Sequence, residues 1–157
     1  MASHSAGPQG VLAGLIIAPA FGAVVCVAAM MVHFVLVDPD GAALPLGELL
    51  PMAGAIWLSA LMFAYPAALV FLLLRIGFGA IGFGIAGGWI SGMVAGFAAM
   101  GVYLDRVHPG GFLEGLAGGT PPGALTLPEL GAALALPAIG AGSGLIAALV
   151  FASFARR

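Results

Sequence analysis

Between Ala80 and Met100 glycine returns at every fourth position, at Gly84, Gly88, Gly92 and Gly96, inside an apolar run too long for the helix of a soluble core. Residues four apart share one face of an α-helix, so the run predicts a helix with one stripe bare of Cβ atoms. In lipid such a stripe lets a neighbouring backbone come close, the small-xxx-small mode of packing. The rest of the chain must supply that neighbour.

Three other apolar runs carry comparable stripes: Gly10, Gly14, Ala18, Gly22 and Cys26 in the first, Ala60, Ala64 and Ala68 in the second, and Gly140, Gly144, Ala148 and Ala152 in the last. A spanning helix takes about 20 apolar residues, which makes each run long enough to cross a bilayer. The expected spans are 8–37, 51–74, 79–104 and 127–154. Composition agrees, since 62% of the 157 residues are hydrophobic and only 6% charged, a balance foreign to soluble domains. The predicted fold is all-α: one polytopic membrane domain over residues 1–157, with four transmembrane helices in a glycine-rich, closely packed bundle.

Punctuation along the chain sets the connections. Asp38-Pro39-Asp40-Gly41 ends the first span with a proline and a turn-forming Asp-Gly pair. A tight link at 75–79 makes the second and third spans antiparallel neighbours. The Gly- and Pro-rich stretch 106–125 is the long outer loop, and Thr126-Leu127-Pro128-Glu129 has the form of a capping box that opens the fourth span. Pro19, Pro66 and Pro137 lie at mid-depth, where proline removes a backbone hydrogen bond and tends to kink a helix.

Two helical hairpins result, and a weak internal repeat relates them: Glu48 precedes Arg75 by the interval that separates Glu129 from Arg156. Orientation follows from the arginines. Arg75, Arg156 and Arg157 share one side, whereas the acidic connections carry only Arg106, so the positive-inside rule puts both termini in the cytoplasm of a bacterial inner membrane. Residues 1–9 lack the basic region of a secretory signal and are read as retained. With four Lys and Arg together and a net charge of −2, no basic patch exists for nucleic acid.

Sites that could carry chemistry are few. No acid lies at membrane depth, Glu129 standing in the first turn of the fourth span, which argues against a proton-driven pump. His33 and His108 are expected near the same outer face as Asp38, Asp40, Asp105 and Glu114, a set able to bind a metal ion, or haem through one histidine, although the spacing matches no metal motif. A histidine at a helix end also serves as an interfacial hydrogen-bonding residue, and no cofactor is expected apart from that case. Ser59, Ser91 and Ser143 have no base at their depth and read as packing residues. Trp57 and Tyr103 fit an interfacial aromatic belt, while Trp89 lies nearer mid-depth.

These features favour a non-catalytic integral membrane subunit or scaffold that associates with other membrane proteins, or with itself, through the glycine and alanine faces. Its interface would use Gly84, Gly88, Gly92, Gly96, Gly10, Gly14, Gly22, Gly140 and Gly144, with membrane lipid as the other partner. The alternative is a small permease or channel for a neutral or apolar solute, with Tyr65, Trp89 and Ser91 lining a midplane site. A third reading is a haem- or metal-binding protein using His33 and His108.

Overall fold

The computed structural model describes residues 8–37, 46–107 and 127–155, and these residues form four helices and no strand. They are α1 (Pro8–Val37), α2 (Leu46–Ala80), α3 (Gly84–Val107) and α4 (Leu127–Ala155). Each is long and apolar enough to cross a membrane. The outer loop expected at 106–125, like Thr126, His108, Asp38 and the two terminal arginines, lies almost wholly outside the described residues.

Pro8 opens α1, where its missing N–H removes no helical bond. The helices then run on through Pro19, Pro66 and Pro137. Pro137 is fully buried, and Pro66 is exposed. α4 begins at Leu127, where the capping sequence places it.

The link between the second and third spans is displaced from its expected place at 75–79. α2 continues to Ala80, α3 begins at Gly84, and the turn is Ile81 to Phe83. Arg75 does not end the helix because its long stem can lie along apolar surface while the guanidinium finds its own contact, here the ring of Phe151. The stop comes from Gly82, whose φ of 83° is the left-handed conformation glycine adopts without strain. The Phe83 amide donates to the Phe78 carbonyl at 3.0 Å and the Gly82 amide to Gly79 at 3.2 Å, the paired bonds of a Schellman cap. Its hydrophobic contact is there as well, with the Phe78 and Phe83 rings edge to face at 5.6 Å. Gly84, also at positive φ (53°), is therefore the first residue of α3, and the stripe begins at the helix end.

The four helices pack in a ring, each touching the two beside it: α1 with α2 and α4, and α3 with α2 and α4. α3 and α4 meet through their backbones. A Cβ on Gly92 would stand 2.6 Å from the Gly144 carbonyl oxygen, and one on Gly144 would land on the Gly92 carbonyl. Gly96 and Gly140 are related in the same reciprocal way. Such approach puts Cα–H groups against carbonyl oxygens, a weak attraction repeated along the contact. α1 lies on the other side of α4, with Gly14 under the Phe151 ring and Gly22 under Ala147.

α2 differs from the other three. Its inward stripe is alanine rather than glycine, its contact with α1 is the sparsest in the ring, and it is the helix least covered by the rest of the chain. The hairpin α3–α4 is thus the tightest contact in the bundle and α1–α2 the loosest, so the interval shared by Glu48–Arg75 and Glu129–Arg156 is not matched by equal packing.

Candidate functional site

Where small residues of α2 face the glycine-bearing surfaces of the other three helices, the bundle does not close. A cavity of about 120 Å³ remains, lined by all four helices. Ala60, Ala64, Ala67 and Ala68 form its α2 wall, facing Ala18 and Gly22 of α1, Ala95 and Ala99 of α3, and Ser143 and Ala147 of α4. The wall is low because each of these residues ends at or near Cβ.

Aromatic pairs line the space at two levels along the bundle axis. Toward one end Phe71 of α2 meets Phe151 of α4 edge to face, with ring centres 5.4 Å apart. Toward the other, Phe63 of α2 meets Tyr103 of α3 at 5.5 Å, beside Met30 and Met100. Phe63 and Phe71 are eight residues apart on α2, so the two pairs stand roughly 12 Å apart at 1.5 Å per residue, and the lining continues past Phe63 to Ile56.

The lining is almost wholly apolar. Its few polar side chains offer little: the Ser143 hydroxyl donates to the Gly140 carbonyl at 2.9 Å, and Cys26 lies within hydrogen-bonding reach of Ser143. A polar guest would leave its own groups without partners here, at a cost of several kcal/mol. An apolar space of this size stays free of water and accepts a ring or a length of hydrocarbon chain. Among the described residues that line it, none pairs a nucleophile with a base.

The residues expected to line a midplane site do not meet. Ser91 is 0% exposed and donates to the Gly87 carbonyl one turn back at 2.6 Å, which is a packing role. Trp89 is 47% exposed and faces a separate cleft at the end of the bundle. Tyr65 is 42% exposed, and its hydroxyl crosses from α2 to donate to the Ile16 carbonyl of α1 at 3.3 Å. That carbonyl lies one residue beyond Leu15, whose usual helical donor is the N–H that Pro19 lacks. Tyr65 therefore ties the loosest pair of helices together at the proline.

Of the stripe residues, Gly14, Gly22, Gly92, Gly96, Gly140 and Gly144 lie at contacts between helices. Gly88 is buried beside the Arg75 guanidinium, Gly84 is exposed with open space around it, and Gly10 is partly buried in the first turn of α1. Tyr103 contributes to the chamber wall. His33 is partly buried on α1, His108 lies outside the described residues, and no group of three His, Cys, Asp or Glu among the described residues could hold a metal ion. The alanine stripe of α2 was visible in the sequence, but the void it leaves depends on the size of what it faces.

Fold and site together define a class: an all-helical protein with four helices able to span a membrane and an apolar chamber among them. No protein-family model matches the chain, and no curated protein or solved structure matches it either.

Proposed function

We propose that this is a non-catalytic integral membrane protein that takes an apolar molecule from the bilayer into the space between its four helices, as a small permease or carrier for that solute. The observation that carries the reading is the apolar chamber lined by all four helices, with the pairs Phe71–Phe151 and Phe63–Tyr103 in its wall. Entry is proposed from the α1–α2 side, where contact between neighbouring helices is sparsest and the tyrosine tie crosses. The membrane is the bacterial inner membrane with both termini cytoplasmic, a placement supported by the arginine distribution alone.

Scaffolding through a glycine zipper is the weaker reading, because six of the nine stripe glycines are covered by this chain's own helices. A partner subunit would instead meet α2, which exposes Leu58, Met62, Leu69, Leu73 and Ile76 on one ridge. A haem or metal role for His33 has no support beyond its position in the sequence.

Photolabelling tests the proposal. An alkyl diazirine equilibrated with membranes containing the protein, then activated, should insert into the inward face of α2 between Ala60 and Phe71 and into α4 near Ala147. Labelling confined to lipid-facing residues such as Leu58, Met62 and Leu69 would refute it.

A further inference from the structure

At the end of the bundle where α2 stops, α3 starts and α4 ends, a second and separate cleft of about 960 Å³ opens to the surroundings. Leu72 and Ile76 of α2, Ile85 and Trp89 of α3 and Leu149 of α4 give it apolar walls. Among the described residues, one cation lines it, Arg75. The Arg75 guanidinium carbon stands 5.2 Å from the centre of the Phe151 ring, and Nη1 lies 3.7 Å from where a Cβ of Gly88 would be. Arg75 is thus held by contacts with two neighbouring helices, and the glycine at 88 gives it room.

Charge inside a spanning segment is costly and calls for a partner. The one acidic side chain among the described side chains, Asp105, belongs to the opposite end of α3, roughly 26 Å from Gly88 at 1.5 Å per residue. What the cleft joins is a planar, two-pronged donor suited to phosphate and a run of apolar wall leading away from it. A headgroup and an acyl chain have those two needs together, and basic pockets between membrane helices are where such headgroups bind. The partly exposed Trp89 fits the boundary between them.

We infer that this cleft binds an anionic phospholipid, its phosphate on Arg75 and one acyl chain along Leu72, Trp89 and Leu149. Free phosphate would satisfy the guanidinium and leave the apolar walls uncovered. The site opens at the end of the bundle and shares only Ala148 and Phe151 with the wall of the central chamber.

The test uses the full chain, purified in mild detergent and placed in nanodiscs of phosphatidylcholine with or without phosphatidylglycerol. Native mass spectrometry should show a phosphatidylglycerol retained in preference to phosphatidylcholine. Arg75→Gln should lower that retention about 10-fold, as expected for losing a charge-assisted hydrogen bond, and Arg75→Lys should restore part of it. Equal retention of the two lipids, or undiminished retention by Arg75→Gln, would overturn the inference. If Arg75→Gln does not fold, the comparison of lipids on the wild-type chain decides. Stabilisation of the lipid-depleted protein by millimolar inorganic phosphate to the same degree would also overturn it, by making the ligand free phosphate.

Discussion

Two glycines of α4 stand in opposite surroundings although a single residue separates them. A Cβ on Gly144 would land on the Gly92 carbonyl of α3, whereas one on Gly142 would meet nothing within 4 Å. Gly144→Ala should therefore lower stability by about 2 kcal/mol, the middle of the range for over-packing a tight contact. Gly142→Ala should be neutral or stabilising by up to about 1 kcal/mol, through helix propensity. Thermal unfolding in detergent followed by circular dichroism separates them, and equal losses would contradict the assignment. The fourfold spacing already marks 140 and 144 as one face. It does not say whose backbone arrives there, since a bare stripe fits a second chain as well as a neighbouring helix. Trp89 and Ser91 face different surroundings for a reason the sequence does contain: two residues apart on a helix they point about 200° apart, so equal depth does not bring them together.

At the scale of the element, the α2–α3 turn depends on backbone conformation more than on charge. Gly82→Ala places a Cβ in the left-handed region and should cost about 1–2 kcal/mol. Phe78→Ala, which removes the ring contact to Phe83 but keeps the glycine, should cost less and speed hydrogen exchange at the Phe83 amide, which donates to Phe78. If Gly82→Ala unfolds at the wild-type temperature, the cap is not what ends α2. The four spans were legible from hydropathy and proline placement, and α4 starts where Thr126 and Glu129 imply. The turn was not, because arginine reads as the last residue of a membrane helix, and Arg75 instead packs over the Phe151 ring while α2 runs on to Ala80. The signal that locates it is local: a glycine preceded by Phe78 and followed by Phe83 at cap spacing.

The whole molecule is asymmetric in how its helices hold together, and that asymmetry makes the chamber. α4 sits between α1 and α3 with glycine at both contacts, while α2 closes the ring with alanine and a hydroxyl tie from Tyr65. Tyr65→Phe removes the tie and should loosen α1 from α2, read as a faster rate of guest exchange with little change in the unfolding midpoint. Ala64→Leu fills part of the chamber and should raise stability by about 1 kcal/mol, as cavity filling commonly does. The deciding measurement is solvent extraction and mass analysis of apolar molecules that remain with the protein after purification from its membrane, compared between wild type and Ala64→Leu. The proposal predicts an apolar compound retained by the wild-type chain and reduced several-fold in the folded variant; the same extract from both would contradict it.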